Sequence, residues 1–118
     1  MGLLSKLFGS KKNGAHRPPE HEVVVHFLYG STNFQHAYAL EDQIRRTILD
    51  AQAGGYDGHE IASDGSEISL HMYGPDAEKL YSVISPVLAA SSLMHGATVT
   101  LWFGRQGWKT QKRVIELP

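Results

Sequence analysis

Cysteine is absent from the 118 residues of this chain, which excludes a disulfide framework, a thiolate metal site and a cysteine nucleophile. No apolar run approaches the roughly 20 residues that a membrane-spanning helix requires. The start of the chain also lacks the continuous apolar stretch of a secretory signal. These absences predict a cytoplasmic protein, and the length predicts one domain with one hydrophobic core.

Positive charge is scarce in the middle of the chain. Residues 21–104 contain ten acidic and three basic residues, a net charge of −7, whereas residues 1–20 and residues 105–118 each carry +3. An acidic body repels phosphate groups, so this distribution argues against a nucleic-acid partner. It favours a basic protein partner, because complementary fields accelerate and orient docking.

Residues 1–20 are interpreted as a flexible basic tail, and residues 21–118 as a single α+β domain. Two prolines and a run of glycine, serine and lysine interrupt any regular structure in the tail. Residues 3–8 allow a second interpretation, a short amphipathic segment that binds a membrane surface. Its apolar residues fall on one side of a helix: Leu3, Leu4, Leu7 and Phe8.

Strands are indicated by β-branched and aromatic runs between turn residues. An Asp-Gly pair at residues 64–65 predicts a two-residue hairpin turn, because both residues tolerate positive φ. Such a turn pairs Ile61 with Ile68 and Glu60 with Ser69. The predicted strands are residues 23–29, 57–63, 66–73 and 97–103, with a possible C-terminal strand at residues 114–117.

Two helices are indicated by apolar residues at helical spacing. Thr32 is predicted to cap the first helix, and two glycines at residues 54–55 are predicted to end it. The second helix is predicted to begin after Asp76 and to kink or end at Pro86. The charged residues of the first helix are expected on its solvent side: Glu41, Asp42, Arg45 and Arg46.

The order strand, helix, strand, strand, helix, strand predicts a ferredoxin-like, two-layer α+β sandwich, whose helices cover one face of the sheet. The sequence Met-Tyr-Gly-Pro-Asp-Ala at residues 72–77 and the opening Met-Gly-Leu-Leu resemble short bacterial proteins of this type. The activity of those proteins is uncharacterised, so the resemblance implies a fold and no activity.

Alternation along the strands assigns side chains to the two faces of the sheet. The apolar sets should face the helices, which leaves a polar and aromatic set on the open face. His26 and His71 should lie near its middle, since the first and third strands are central neighbours in this fold. The candidate site residues are His26, Glu60, Ser69, His71, Tyr73 and Trp102.

Several interpretations of this patch stay open. Aromatic residues among polar neighbours are typical of protein interfaces, which favours a non-enzymatic protein that binds a basic partner. Small acidic bacterial proteins of the kind that this chain resembles are often immunity proteins, so the resemblance implies an immunity or adaptor protein. The alternative is a homodimer packed sheet to sheet, in which His26, His71 and Glu60 line a ligand or catalytic pocket. Base stacking on the sheet fits poorly with the acidic body. The patch can also be an ordinary solvated sheet face, or one that a C-terminal segment covers.

Catalytic and cofactor-binding motifs are missing from the sequence. It contains no phosphate-binding loop, no dinucleotide fingerprint and no Gly-x-Ser-x-Gly turn. Two histidines with one glutamate form a weak metal-ligand set. The sequence therefore predicts no cofactor and no metal site, and it favours a binding protein over an enzyme.

Overall fold

Residues 20–118 are the part of the chain that the computed structural model describes. The predicted tail, with its membrane-surface segment at residues 3–8, lies outside the described residues except for Glu20. The described elements follow one another as β1 (His21–Leu28), α1 (Gln35–Asp50), β2 (Gly55–Ile61), β3 (Glu67–Gly74), α2 (Ala77–Ala89), a short 3₁₀ helix (Ser92–Met94), β4 (Thr98–Trp102) and β5 (Lys112–Glu116).

The five strands form one antiparallel sheet in the order β2-β3-β1-β4-β5. Both helices cover the same face of this sheet, because their apolar stripes share a single core with the strands. The predicted α+β class is thereby confirmed, and the possible C-terminal strand exists as β5, paired with β4. Neither α-helix in residues 20–118 is long and apolar enough to cross a membrane.

Alternation along the strands determines which side chains enter the core. Burying each large apolar side chain contributes about 1.5–3 kcal/mol, so the register that buries the apolar set is strongly favoured over its opposite. Tyr29 and Phe103, also predicted for this side, lie just beyond β1 and β4 and are partly buried against the core. The other predicted sheet residues are buried in the core: Val23, Val25, Phe27, Ile68, Leu70, Met72, Val99 and Leu101. The polar set is left on the open face.

The hairpin between β2 and β3 has the predicted register and a different turn. Ile61 pairs with Ile68, as expected. The turn is closed by a bond from the Gly65 amide to the Ala62 carbonyl at 2.8 Å, and Gly65 alone in it has positive φ, +75°. The loop therefore holds four residues, 63–66, since the Ala62 amide donates to the Glu67 carbonyl beyond it at 3.0 Å.

The start of α1 differs from the expectation that Thr32 caps it. The helix begins at Gln35, whose amide donates to the Asn33 side-chain oxygen at 3.2 Å. The Asn33 amide in turn donates to the Ser31 hydroxyl at 2.9 Å. Asparagine is a better acceptor at this place because its side chain reaches the amide two residues ahead.

The end of α1 also lies earlier than the predicted glycines. The helix ends at Asp50, and Gln52 adopts the left-handed backbone with φ of 52°. The chain turns here because Ala53 re-enters the core, where it is buried. The glycines at residues 54–55 therefore lead into β2 rather than cap the helix.

The start of α2 follows the prediction. The Asp76 carboxylate accepts hydrogen bonds from the amides of Glu78 and Lys79, at 3.0 and 3.2 Å, and satisfies two donors that the helix itself leaves open. Pro86 was predicted to kink the helix or end its regular part, and it does not end the helix. The helix continues through Pro86 to Ala89.

Candidate functional site

The face of the sheet turned away from the helices carries the polar and aromatic residues singled out in the sequence. Four of them lie between buried neighbours on their strands, so the pleat directs them outward. The other two pair with residues of the same face: Glu60 with Ser69, and Trp102 with Glu22. The structure brings all six onto one surface, where they are half-buried or exposed: His26, Glu60, Ser69, His71, Tyr73 and Trp102. We call this surface the open face.

Cross-strand pairing orders the open face into rows. His71 lies on β3, opposite Val24 on one side and Gly58 on the other. Glycine has no side chain, and on the β2 side the His71 ring contacts the side chain of Glu60. Rows on either side of it run across the sheet as Glu60, Ser69, His26, Thr98 and Glu116, and as Tyr73, Glu22, Trp102 and Lys112.

The two histidines of the open face contact separate carboxylates. His26 Nε2 lies 2.6 Å from Glu67 Oε1, and His71 Nε2 lies 3.2 Å from Glu60 Oε1. His26 faces Ser69, two residues before His71, so the histidines are diagonal neighbours at about 7–8 Å. They form two exposed histidine–glutamate pairs, each with its own carboxylate.

Negative charge dominates the strand positions of the open face. Four glutamates stand there against one lysine, a net charge of −3 with neutral histidines: Glu22, Glu60, Glu67 and Glu116 against Lys112. The lysine ammonium lies 5.0 Å from the centre of the Trp102 ring, a cation–π contact. An acidic surface with aromatic anchors is suited to a cationic partner.

Two cavities in the described part of the chain lie away from the open face. Within residues 20–118, no three histidine or carboxylate side chains are grouped closely enough to hold a metal ion. A cavity of about 450 Å³ lies between α1 and the end of α2, and one of about 280 Å³ lies beside α2, the 3₁₀ helix and residues 117–118. None of the six predicted site residues lines either cavity.

A second cluster of polar side chains lies between α1 and β2, and the sequence analysis missed it. Glu41 was expected to face solvent, but it is buried against the sheet. Its Oε2 atom accepts a hydrogen bond from the Tyr56 hydroxyl and lies 2.7 Å from His59 Nδ1. A signal for this was present, because Glu41 stands four residues after Ala37 and three before Ile44, within the buried stripe of the helix. We call this cluster the seam.

A β-bulge in β2 makes the seam possible. Tyr56 pairs with Met72, but His59 pairs with Leu70, because the register shifts between Tyr56 and Gly58. In a regular strand, residues three apart point to opposite faces. The additional residue of the bulge turns both rings toward α1, and Gly58 accommodates it with φ of +118°.

The surroundings of Tyr56 keep its hydroxyl protonated. Burial first, and then the hydrogen bond to and the charge of Glu41, raise the pKa of Tyr56 far above its ordinary value of 10.0. The Arg45 guanidinium lies 5.2 Å from the centre of the same ring and opposes this effect. Tyr56 is therefore a hydrogen-bond donor to a buried carboxylate rather than an acid.

His59 is oriented by the same carboxylate. A carboxylate oxygen accepts hydrogen bonds, so we assign Nδ1 of the His59 ring as the donor to Glu41. The ring also stacks on Tyr38, with centres 6.0 Å apart. A carboxylate that orients a histidine is one part of a general-base site. The seam lines neither of the two cavities described above, so we interpret it as structural.

Comparisons with known proteins do not assign this chain to a group. No protein-family model matches it, and no curated protein matches it significantly. The geometry of the described residues is therefore the basis for any statement about its function.

Proposed function

We propose that this protein is a non-enzymatic binding domain whose open face docks a basic protein partner. The observation that carries the proposal is the net charge of −3 at the strand positions of the open face, set around exposed aromatic and apolar residues. Leu28 and Val114 on this face are 77% and 52% exposed, and Trp102, diagonal to Val114, is half-buried. Apolar and aromatic anchors among carboxylates supply both contact area and steering.

An immunity or adaptor protein that works in the cytoplasm is the class we propose. The small size, the acidic body of residues 21–104 and the missing catalytic motifs support it. We assign the fold to the ferredoxin-like type with one added strand, which the order β2-β3-β1-β4 along the sheet supports. A fold of this kind presents a broad sheet face rather than an enclosed pocket.

A second candidate is a homodimer packed sheet to sheet around a ligand or catalytic pocket. The contacts of His26 with Glu67 and of His71 with Glu60 favour it, because two imidazoles would line the space between the sheets. In this arrangement the pocket exists only in the dimer, which fits the absence of these residues from the cavities described in the single chain.

The test is capture of a partner on the immobilised chain from extracts of its source cells, followed by identification and kinetic measurement with the purified partner. We expect a basic protein. The variant Trp102→Ala should raise its dissociation rate on the order of tenfold or more. The double variant Glu60→Gln/Glu67→Gln should lower its association rate at low salt on the order of tenfold.

The matched control is Asp42→Asn/Glu78→Gln, which removes the same charge from the helix side, where both carboxylates are exposed and contact arginines. This control should leave binding nearly unchanged at moderate salt. Equal losses in both double variants, or a partner unaffected by Trp102→Ala, would contradict docking on the open face. A dimer that Trp102→Ala dissociates would instead identify the sheet-to-sheet arrangement.

A further inference from the structure

The two edges of the sheet differ in their capacity to pair with another strand. β2 is interrupted by its bulge, which breaks the ladder and discourages pairing at that edge. β5 is regular over all five residues, with an unbroken register to β4 and no proline. Among the described residues no strand lies beyond β5, and Val114 at its centre is 52% exposed. β5 is therefore the edge strand that is better suited to pair with an additional strand.

The backbone groups that β5 turns outward can be identified from the ladder. The Phe103 amide donates to the Gln111 carbonyl at 3.0 Å, and the Leu117 amide donates to the Ala97 carbonyl at 2.8 Å. Hydrogen-bonded and non-bonded pairs alternate along an antiparallel ladder. Odd-numbered residues of β5 thus bond to β4, and the N–H and C=O groups of the even-numbered residues point away from the sheet: Lys112, Val114 and Glu116.

Lys112, Val114 and Glu116 of one copy are complementary to the same three residues of a second copy. In an antiparallel pairing of two β5 strands about a two-fold axis at Val114, each valine faces its counterpart, and Lys112 of one copy faces Glu116 of the other. In this register the residues with outward backbone groups face one another, and they form three pairs of backbone hydrogen bonds and two lysine–glutamate contacts. Arg113 and Ile115 face each other between them as non-hydrogen-bonded pairs. A shift by one residue would set inward groups of one strand against outward groups of the other.

We propose that β5 pairs with β5 of a second copy of this chain, in the register centred on Val114. The result is a symmetric dimer with one continuous sheet of ten strands. The side chains of Lys112, Val114 and Glu116 lie on the open face, where opposite charges directly across a strand pair stabilise the pairing and like charges oppose it. The open faces of the two copies stay uncovered and lie side by side, so this dimer is independent of partner docking.

The test is the mass in solution over a series of protein concentrations, by sedimentation equilibrium or light scattering. The wild-type chain should reach twice its mass of 13.0 kDa. Val114→Pro should abolish the dimer and leave the monomer folded, because it removes an amide that points outward and that β4 does not use. The matched control Val114→Thr keeps the amide and the β-branched shape, and should dimerise as the wild type does.

A charge exchange gives a readout that a folding defect cannot imitate. Lys112→Glu and Glu116→Lys, each alone, should weaken the dimer on the order of tenfold, because like charges then face each other across the two copies. The double variant Lys112→Glu/Glu116→Lys restores opposite charges and should restore the dimer. It lacks the contact of Lys112 with Trp102 just as the single variant does, so recovery reports pairing between copies.

Three results would overturn the proposal. A wild-type chain that stays at 13.0 kDa throughout the series is the first. A dimer that persists in Val114→Pro is the second, and a double charge variant no more dimeric than its singles is the third. Failure here leaves the proposed function standing, because partner docking is measured on Trp102 and Glu60 and does not require β5 pairing.

Discussion

Histidine–glutamate contacts occur on both sides of the sheet, in very different surroundings. On the open face, the side chains of Glu60 and Glu67 are 72% and 54% exposed, whereas the Glu41 side chain at the seam is 7% exposed. Water screens an exposed pair, which contributes about 0–1 kcal/mol. A buried carboxylate depends on its protein donors in place of water. The same residue types therefore stabilise the fold at the seam and present accessible charge on the open face.

The largest effect that this comparison predicts belongs to Glu41→Ala. The substitution removes the acceptor of the Tyr56 hydroxyl and of the His59 ring, and leaves a void in the buried stripe of α1. We expect the free energy of unfolding to fall by about 3 kcal/mol. Urea unfolding followed by circular dichroism measures it.

The matched control for Glu41→Ala is Glu60→Ala, which removes the carboxylate beside His71 on the open face. It should change the free energy of unfolding by less than about 0.5 kcal/mol, because the Glu60 carboxylate is exposed to water in the folded chain as it is in the unfolded chain. Similar losses in the two variants would mean that burial does not separate the two regions, and the comparison would fail.

The next effect is a pH dependence of stability that arises at the seam. The pKa of Tyr56 lies above its ordinary value of 10.0, because burial and Glu41 disfavour the phenolate. Above pH 10 the unfolded chain loses this proton and the folded chain keeps it. The free energy of unfolding is thus unaffected below pH 10 and falls above it, by at most about 1.4 kcal/mol per pH unit.

Comparison with Tyr56→Phe isolates this contribution. The phenylalanine variant has no proton to lose there, so its alkaline decline should be shallower than that of the wild type. Tyr38→Phe is the control, because Tyr38 lies on α1 and is 47% exposed. Urea unfolding at several pH values above and below 10 gives the slope of the free energy of unfolding against pH. Parallel slopes for the wild type and Tyr56→Phe would show that Tyr56 ionises as readily in the folded chain as in the unfolded chain.

The open face could be predicted from the sequence and the seam could not. On β1, β3 and β4 buried residues alternate with outward-facing ones because each strand is regular, and burial of the apolar set fixes its direction. The hairpin register followed from residues 64–65, although the turn there is longer than predicted. The period-two pattern therefore predicts the face of each side chain wherever the strand is regular.

The seam depends on two departures from regularity. The bulge at Gly58 changes which face Tyr56 and His59 share, and no period-two pattern reveals an added residue. Glu41 is a charged residue between Leu40 and Asp42, so its chemistry predicts solvent while its position predicts the core. Only the two donors on β2 resolve this conflict, and they lie 15 and 18 residues further along the chain.

Apart from the control variants, the smallest effect is expected for the double substitution His26→Ala/His71→Ala. Both rings are partly exposed, and their carboxylates remain solvated when the rings are removed. The free energy of unfolding should change by less than about 1 kcal/mol in total, and docking of a basic partner should be largely retained, since the four open-face glutamates are kept. A larger loss of stability would mean that these pairs are as structural as the seam. Retained stability with lost catalysis would favour the sheet-to-sheet dimer, because only a reaction between two facing sheets requires the imidazoles themselves.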